Sequence, residues 1–288
     1  MIVTRFAPSP TGFLHLGHAY AALTAYESAR RAGGRFLLRI EDIDQTRCRP
    51  EHESSILEDL RWLGLSWEQP VRRQSEHFID YAVALEKLNS AGLLYPCFCT
   101  RKDIAEEIAR AGIAPQASEW GPGGPLYPGT CRGLSEALRA ARIGEGAPYA
   151  LRLDIAKAMR RIARELTFEE HGRGPHGETG EHRAQPELFG DLVLARKELP
   201  ASYHLAVVVD DALQGITLVT RGQDLFPATH IQRLLQALLE LPTPAYAHHR
   251  LVLDSQGRKF SKRDRAATLA GMRQAGVTAR ELRATLGM

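Results

Sequence analysis

The sequence predicts an α/β fold built on a parallel sheet, and three observations carry that expectation. Ile2 to Phe6 is a short apolar run broken by Pro8, Pro10 and Gly12, after which a helical pattern opens at Gly17 and stops at Gly33-Gly34. A second apolar run, Arg35 to Ile40, follows that helix, the order expected of neighbouring parallel strands joined by a crossover. Chemistry-bearing residues then stand at the ends of apolar strands: Glu41-Asp42-Ile43-Asp44 after Ile40, and Arg221 after Ile216 to Thr220. Open α/β sheets bind ligands at that carboxyl edge.

Taken in order, the first turn delivers His15 and His18, three residues apart beside a helix start. Helix N-termini favour anions, so imidazoles at this place can be donors aimed at phosphate. Residues 50 to 64 predict an amphipathic helix with Ile56, Leu57, Leu60 and Leu63 on one side, and Trp62 and Trp67 as anchors. Arg72-Arg73-Gln74-Ser75 leads into a further helix through Tyr81, Leu85 and Leu88. Cys97-Phe98-Cys99 and Cys131 put three thiols within 35 residues. That suits a tetrahedral structural zinc, which takes four ligands. No histidine lies between 97 and 131, whereas Tyr127 stands four residues before Cys131, and buried free cysteines remain the competing reading.

Residues 101 to 110 predict a charged helix, 115 to 129 a Pro/Gly-rich loop, Leu134 to Arg142 a short helix and Tyr149 to Ile155 a strand. Within Phe168 to Leu194, the Gly-rich run from His171 to His182 looks like a mobile surface loop, its three histidines notwithstanding. Gly190 to Arg196 returns to strand. Pro200 to Ala212 passes from a polar loop into a buried helix or strand, and Pro227 to Leu239 is an amphipathic helix. His248 and His249 are expected to be strand-entry residues. Lys259-Phe260-Ser261-Lys262-Arg263 holds two lysines three apart, able to place two positive charges on a phosphate, and one short helix is expected after it.

His15-Leu16-Gly17-His18 resembles the HIGH-type signature of class I aminoacyl-tRNA synthetases. Arg5 to Gly12 is similar to the run that precedes it in glutamyl-tRNA synthetases. Lys259 to Arg263 resembles the second signature, usually written KMSKS, with Phe260 and Arg263 as departures. The resemblance extends from Arg5 to Arg263. It implies a Rossmann-like catalytic sheet with an inserted zinc-bearing acceptor-type subdomain. The corresponding division is 1–92 and 188–245 for the two halves of the catalytic domain, 93–187 for the insert, and 246–288 for the lysine loop and C-terminal end.

The same resemblance assigns ATP, with Mg2+, to His15, Gly17, His18, Lys259, Ser261 and Lys262. His15, His18, Lys259 and Lys262 would be its catalytic donors. Glutamate falls to Arg5, Ala7, Ser9, Glu41, Tyr203 and Arg221, with Glu41 facing the ammonium and the arginines facing carboxylates; which arginine takes the side-chain carboxylate stays open. Zinc falls to Cys97, Cys99, Tyr127 and Cys131. Only about two dozen residues follow the lysine signature, so no anticodon-binding domain is expected. That shortness is similar to the truncated paralogues of the family, the glutamyl-Q tRNA(Asp) synthetases. These activate L-glutamate without tRNA and attach it to the queuosine base in the anticodon of tRNA(Asp). Conventional glutamyl-tRNA charging with a separate anticodon-binding partner, and a non-catalytic RNA-binding paralogue, are the alternatives.

Composition sets the bounds. A chain of 288 residues with 44% hydrophobic and 25% charged residues has enough apolar content for a sizeable core. No apolar run reaches about 18 residues, and Arg5 with two prolines interrupts any signal-peptide pattern. A cytoplasmic, reduced setting with no membrane partner is expected, since four cysteines, three of them crowded together, do not make a disulfide framework. The net charge of +3 is compatible with RNA but does not by itself argue for it. A monomer is the expectation from short paralogues.

Overall fold

The computed structural model describes residues 1–110, 120–122, 124–253 and 268–288. The chain opens with strand β1 (Val3–Phe6), helix α1 (Leu16–Arg31) and strand β2 (Arg35–Ile40). β1 and β2 are parallel, Val3 opposite Arg35 and Phe6 opposite Leu38. Helix α2 (Pro50–Trp62) starts on a proline, whose missing N–H costs nothing at a helix start. Strand β3 (Arg72–Arg73) adds to β2, and α3 (Phe78–Ser90) follows.

β4 (Leu94–Cys97), α4 (Arg101–Arg110), the small hairpin β5 (Trp120–Gly121) and β6 (Gly124–Pro125), α5 (Glu136–Gly144), β7 (Ala150–Leu153) and α6 (Ile155–Ile162) come next. Helix α6 is absent from the sequence-based expectation. The strand expected from Tyr149 to Ile155 stops at Leu153 because the Asp154 side chain accepts from the Lys157 N–H and caps a helix instead.

β8 (Thr167–Glu170) and β9 (Gly180–Arg183) form an antiparallel hairpin around the run expected to be a surface loop, His171 to His182, of which only Gly180 to His182 are strand. Alternation explains it: Phe168 and Glu170 are buried while Glu169 is exposed, a period-two pattern that the surrounding glycines mask. β10 (Leu192–Arg196), α7 (Tyr203–Leu213), β11 (Leu218–Gly222), α8 (Phe226–Leu239) and β12 (Ala245–His249) complete the middle of the chain. Ser202 caps α7, which settles the Pro200 to Ala212 run as helix. Two short helices, α9 (Leu269–Gln274) and α10 (Ala279–Leu286), replace the single one expected, each started by a threonine cap, Thr268 and Thr278.

Strand order explains the site. β1-β2-β3 run one way from β1, while β11-β12-β8-β9 run the other way from β11. The two sets abut where Thr217 N–H donates to Val3 O at 3.0 Å and Val3 N–H donates to Thr217 Oγ1 at 2.9 Å. Strand order reverses at that seam, and a reversal opens a crevice at the carboxyl ends of the strands. β12 is parallel to both β11 and β8. Thr167–Glu170 and Gly180–Arg183, which the sequence division groups with the insert, therefore extend the sheet of the second half. β10, in turn, pairs with β7 in a separate antiparallel sheet that also holds β4.

One apolar cluster joins the sheet to α3, α6, α7 and α8, and the other joins it to α1, α2, α9 and α10, so helices cover both faces. Among the described residues no helix is long and apolar enough to cross a membrane.

Candidate active site

Arg5 sits in β1 and is 5% exposed. Its Nε and Nη2 donate to Asp211 Oδ1 and Oδ2 at 2.9 and 3.3 Å, and Nη1 donates to Thr220 O at 3.4 Å across the seam. Arg39, fully buried in β2, donates from Nη1 to the same Asp211 Oδ1 at 2.8 Å and to Gln214 Oε1 at 2.9 Å. Its Nη2 reaches Glu41 Oε1 at 3.3 Å. Asp211 thus balances two guanidiniums. Burial alone would raise its pKa, but Arg5 and Arg39 hold the carboxyl below its usual range. Losing that carboxylate would strip Arg5 of its ion-pair partner in the interior and leave Arg39 to Glu41 and Asp210 alone, a deficit of about 3–5 kcal/mol. Burial instead dominates at Glu41 and lifts it above the usual range against the pull of Arg39 and Arg5.

The neighbouring Asp210 is fully buried and accepts from Arg72 Nε and Gln74 Nε2 at 2.7 Å each and from Tyr81 OH at 3.0 Å. The Arg72-Arg73 pair is thereby tied to protein carboxylates, Arg73 through Glu53. Asp42 accepts from the Ser75 N–H at 2.9 Å, and Asp44 stays local with Thr46 and Arg47.

Ala7 and Ser9 lie in the turn after β1, held near Glu41 by the Glu41 N–H to Pro8 O bond at 3.0 Å. Tyr203, half-buried, is the first residue of α7, the helix that carries Asp210 and Asp211. Arg221 is buried at the carboxyl end of β11, 5% exposed, gripped from two other elements. Nε donates to His248 Nε2 at 3.0 Å, Nη1 to Gln232 Oε1 at 2.8 Å and Nη2 to Thr229 Oγ1 at 2.7 Å. Its charge also reaches the start of α7: burial first, then Arg221, pushes His204 down to about 4, which keeps that imidazole neutral.

At the first turn, His15 caps α1. Its Nδ1 accepts from Gly17 N–H at 3.1 Å, and His18 Nδ1 accepts from His15 N–H at 3.2 Å. Gly17 allows this, because a Cβ there would come within 3.1 Å of the His15 ring. The two rings lie 3.8 Å apart. With Nδ1 accepting on both, a neutral imidazole carries its proton on Nε2. Gly17, His18 and Ala19 N–H groups all bond to His15, so these helix-start amides are taken up by the cap and the two imidazoles stand at the turn. Gly17 serves the turn by its lack of a side chain. Lys259, Ser261 and Lys262 lie outside the described residues. Their flanks meet this turn and the helix after it: Leu269 N–H donates to Leu14 O at 2.8 Å, His249 meets the Tyr20 ring of α1 edge-on and Arg250 lies over that ring.

The thiol cluster is assembled as the sequence suggested. Cys97, Cys99 and Cys131 sulfurs lie within 4.8 Å of one another, Cys99 and Cys131 at 3.4 Å. Tetrahedral zinc with bonds of about 2.3 Å needs sulfurs roughly 3.8 Å apart, a span this cluster fits. Tyr127 OH stands 3.6 Å from Cys99 Sγ and accepts from Cys131 N–H at 2.8 Å, within reach of a fourth position. Burial pushes the Cys99 thiol up to about 11.

Asp211, Arg39, Glu170 and His248 were not marked as site residues by sequence reasoning. Sequence signals existed for the first two: a lone arginine in the apolar run Phe36 to Ile40, and paired aspartates ending the apolar run Ala206 to Val209. Charge inside an apolar strand or helix needs a partner.

Residues 1–282 match the family model for the catalytic domain of class I tRNA synthetases for glutamate and glutamine. The chain is 48% identical over 292 residues to the glutamyl-Q tRNA(Asp) synthetase of Rhodobacter capsulatus, covering all of both chains. It is 39% identical to the glutamate–tRNA ligase of Aquifex aeolicus over 96% of this chain and 54% of that one. Among solved structures, a glutamate tRNA ligase from Elizabethkingia meningosepticum in complex with its amino acid superposes with a TM-score of 0.72 at 30% identity. That match covers 91% of this chain, which spans about half (52%) of the other.

Proposed function

The chain belongs to the class I tRNA synthetase family for glutamate and glutamine and within it to the glutamyl-Q tRNA(Asp) synthetases, and is a ligase; from that premise we propose the following reaction. It activates L-glutamate with ATP and Mg2+, without tRNA, to glutamyl-adenylate, and transfers the glutamyl group to the queuosine base in the anticodon of tRNA(Asp).

Arg221 carries this reading. It is a buried guanidinium whose hydrogen-bond partners, His248, Gln232 and Thr229, are all neutral, and among the described residues it has no carboxylate in ion-pair range. A buried charge left unpaired is costly, and a forked cation in a crevice is completed by a substrate carboxylate. Arg5 is already balanced by Asp211, so its role is to complete the pocket beside Ala7 and Ser9. Glu41 faces the ammonium and Tyr203 closes the α7 side.

In the activation step the α-carboxylate oxygen attacks the α-phosphorus of ATP, and pyrophosphate leaves. His15 and His18 donate Nε2–H to the phosphates, and Lys259 and Lys262 supply positive charge, with Ser261 between them. Positioned donors of this kind account for most of the catalysis in such transfers, and removing one costs on the order of a hundredfold in rate. Cys97, Cys99, Tyr127 and Cys131 would hold zinc, which would fix the fold of the β4–α4 region without entering the chemistry.

The test is transfer of labelled glutamate, with ATP, to tRNA(Asp) prepared with and without queuosine. Labelling confined to the queuosine-containing RNA is expected. Labelling of tRNA(Glu) with no need for queuosine would replace the proposal with conventional charging.

A further inference from the structure

Arg221 is held in place from behind by a pair of buried residues that the glutamate pocket does not itself include. Glu170, at the end of β8, and His248, in β12, are both 2% exposed or less. Glu170 Oε1 accepts two backbone bonds at 2.8 Å, from Gly172 N–H and from His248 N–H. Its other oxygen, Oε2, lies 2.5 Å from His248 Nδ1. A carboxylate can only accept, so Nδ1 carries the proton and the neutral ring presents a lone pair at Nε2. That lone pair faces Arg221 Nε at 3.0 Å. We propose that Glu170 and His248 are a positioning pair for substrate recognition: Glu170 fixes the imidazole tautomer, and the imidazole orients Arg221 toward a carboxylate of the amino acid. This rests on the assignment of Arg221 to the glutamate pocket made above.

The arrangement has a physical logic. Of the five N–H donors of a guanidinium, three are taken by His248, Gln232 and Thr229, leaving one on each terminal nitrogen for a ligand. A carboxylate bonded directly to Arg221 would neutralise it and compete with substrate. Glu170 stands one residue removed, so its charge supports the guanidinium through the ring without occupying the ligand-binding face. Burial, helped by Arg221, lowers the His248 pKa despite the opposing pull of Glu170, so the ring is neutral, as the acceptor role requires. The site is also built sterically: a Cβ on Gly172 would collide with the carbonyl of His248, so the glycine lets the β8–β9 hairpin press Glu170 against β12.

Amide substitutions separate polarity from packing. In Glu170→Gln the amide nitrogen takes the place of Oε2, forces Nδ1 to accept, and turns an N–H at Nε2 against the Arg221 N–H. In glutamate-dependent ATP–pyrophosphate exchange this variant should raise the KM for glutamate roughly tenfold or more, the scale of a displaced recognition group, with the KM for ATP unchanged. His248→Gln keeps an acceptor within reach of Arg221 and should stay near wild type, whereas His248→Asn keeps the Glu170 contact, lacks that acceptor, and should behave like Glu170→Gln. Because Gln at 248 has no tautomer to invert, the double variant Glu170→Gln/His248→Gln should recover toward His248→Gln alone. Arg221→Lys serves as the reference. If Arg221→Lys raises the KM for glutamate while Glu170→Gln and His248→Asn do not, the positioning pair is refuted and the pocket assignment stands. A wild-type KM in Arg221→Lys itself would remove the pocket assignment, and the inference with it. Should Glu170→Gln fail to fold, the contrast between Asn and Gln at 248 decides alone, and equal KM values for those two refute the proposal.

Discussion

Glu41 and Asp211 share a pair of arginines and yet are driven in opposite directions. Asp211 receives direct bonds from both Arg5 and Arg39, and its charged form wins over burial. Its contribution to stability is therefore complete above its unfolded value near 3.8 and is lost as pH falls through the lower folded value. Glu41 has one longer bond, from Arg39, so burial wins and its proton is held more tightly than in the unfolded chain. Its ionised form is then a burden on the ligand-free protein above its unfolded value of about 4.5, relieved when an ammonium arrives. The KM for glutamate should accordingly rise on the acid side beginning above pH 4.5, and Glu41→Gln should raise KM at neutral pH while flattening that limb. An unchanged acid limb in Glu41→Gln would assign the titration to another group. Arg39 was legible in the sequence only as an anomaly, a charge amid Phe36, Leu37, Leu38 and Ile40, since its partner Asp211 lies 172 residues away.

At the scale of elements, short local signals were readable and long-range pairing was not. The caps that start α1, α7 and α10 are near-neighbour chemistry; α1 lies close to where the sequence puts it, α7 takes the helical one of two states the sequence leaves open, and α10 is the second of two helices where one is expected. Glycines hid the β8–β9 hairpin, because its pairing with β12 joins residues 76 positions apart. The thiol cluster combines both kinds of signal: Cys97 and Cys99 are two positions apart in sequence, but Cys131 reaches them only through the fold, its Sγ accepting from the Phe98 N–H at 3.4 Å. Purified protein should carry about one zinc per chain by elemental analysis, the load of a closed four-ligand site. Cys131→Ser should lose most of that zinc and lower the melting temperature, with little change in exchange activity per folded molecule. Full zinc retention in Cys131→Ser would take Cys131 out of the ligand set.

Across the whole molecule, the C-terminal helices pack against the first turn, α1 and α2. Leu269 is fully buried in the cluster of α1 and α2, and its N–H bonds to Leu14 beside His15. Arg273 ties α9 to Glu58 and Asp59 of α2, and Arg283 donates to Leu63 O. Deleting the Leu269 side chain should cost about 2–5 kcal/mol in denaturant unfolding, the usual range for a buried leucine. If α9 also steadies the first turn, Leu269→Ala should raise the KM for ATP more than that for glutamate. Equal effects on both would mean the helix contributes stability alone.

By itself the sequence determined the strand-turn-helix opening, the carboxyl-edge residues Glu41 and Arg221, the two signature runs and the cysteine set. Each of these is a local pattern, fixed by the turn chemistry of proline and glycine, by the period of apolar residues or by a short motif. Only the tertiary structure decided that Asp211 neutralises Arg5 and Arg39 while Arg221, among the described residues, has no carboxylate in ion-pair range, and that Glu170 and His248 stand behind it. The reason is that a buried charge is governed by what surrounds it in space, and the seam between β1 and β11 joins residues more than 200 positions apart.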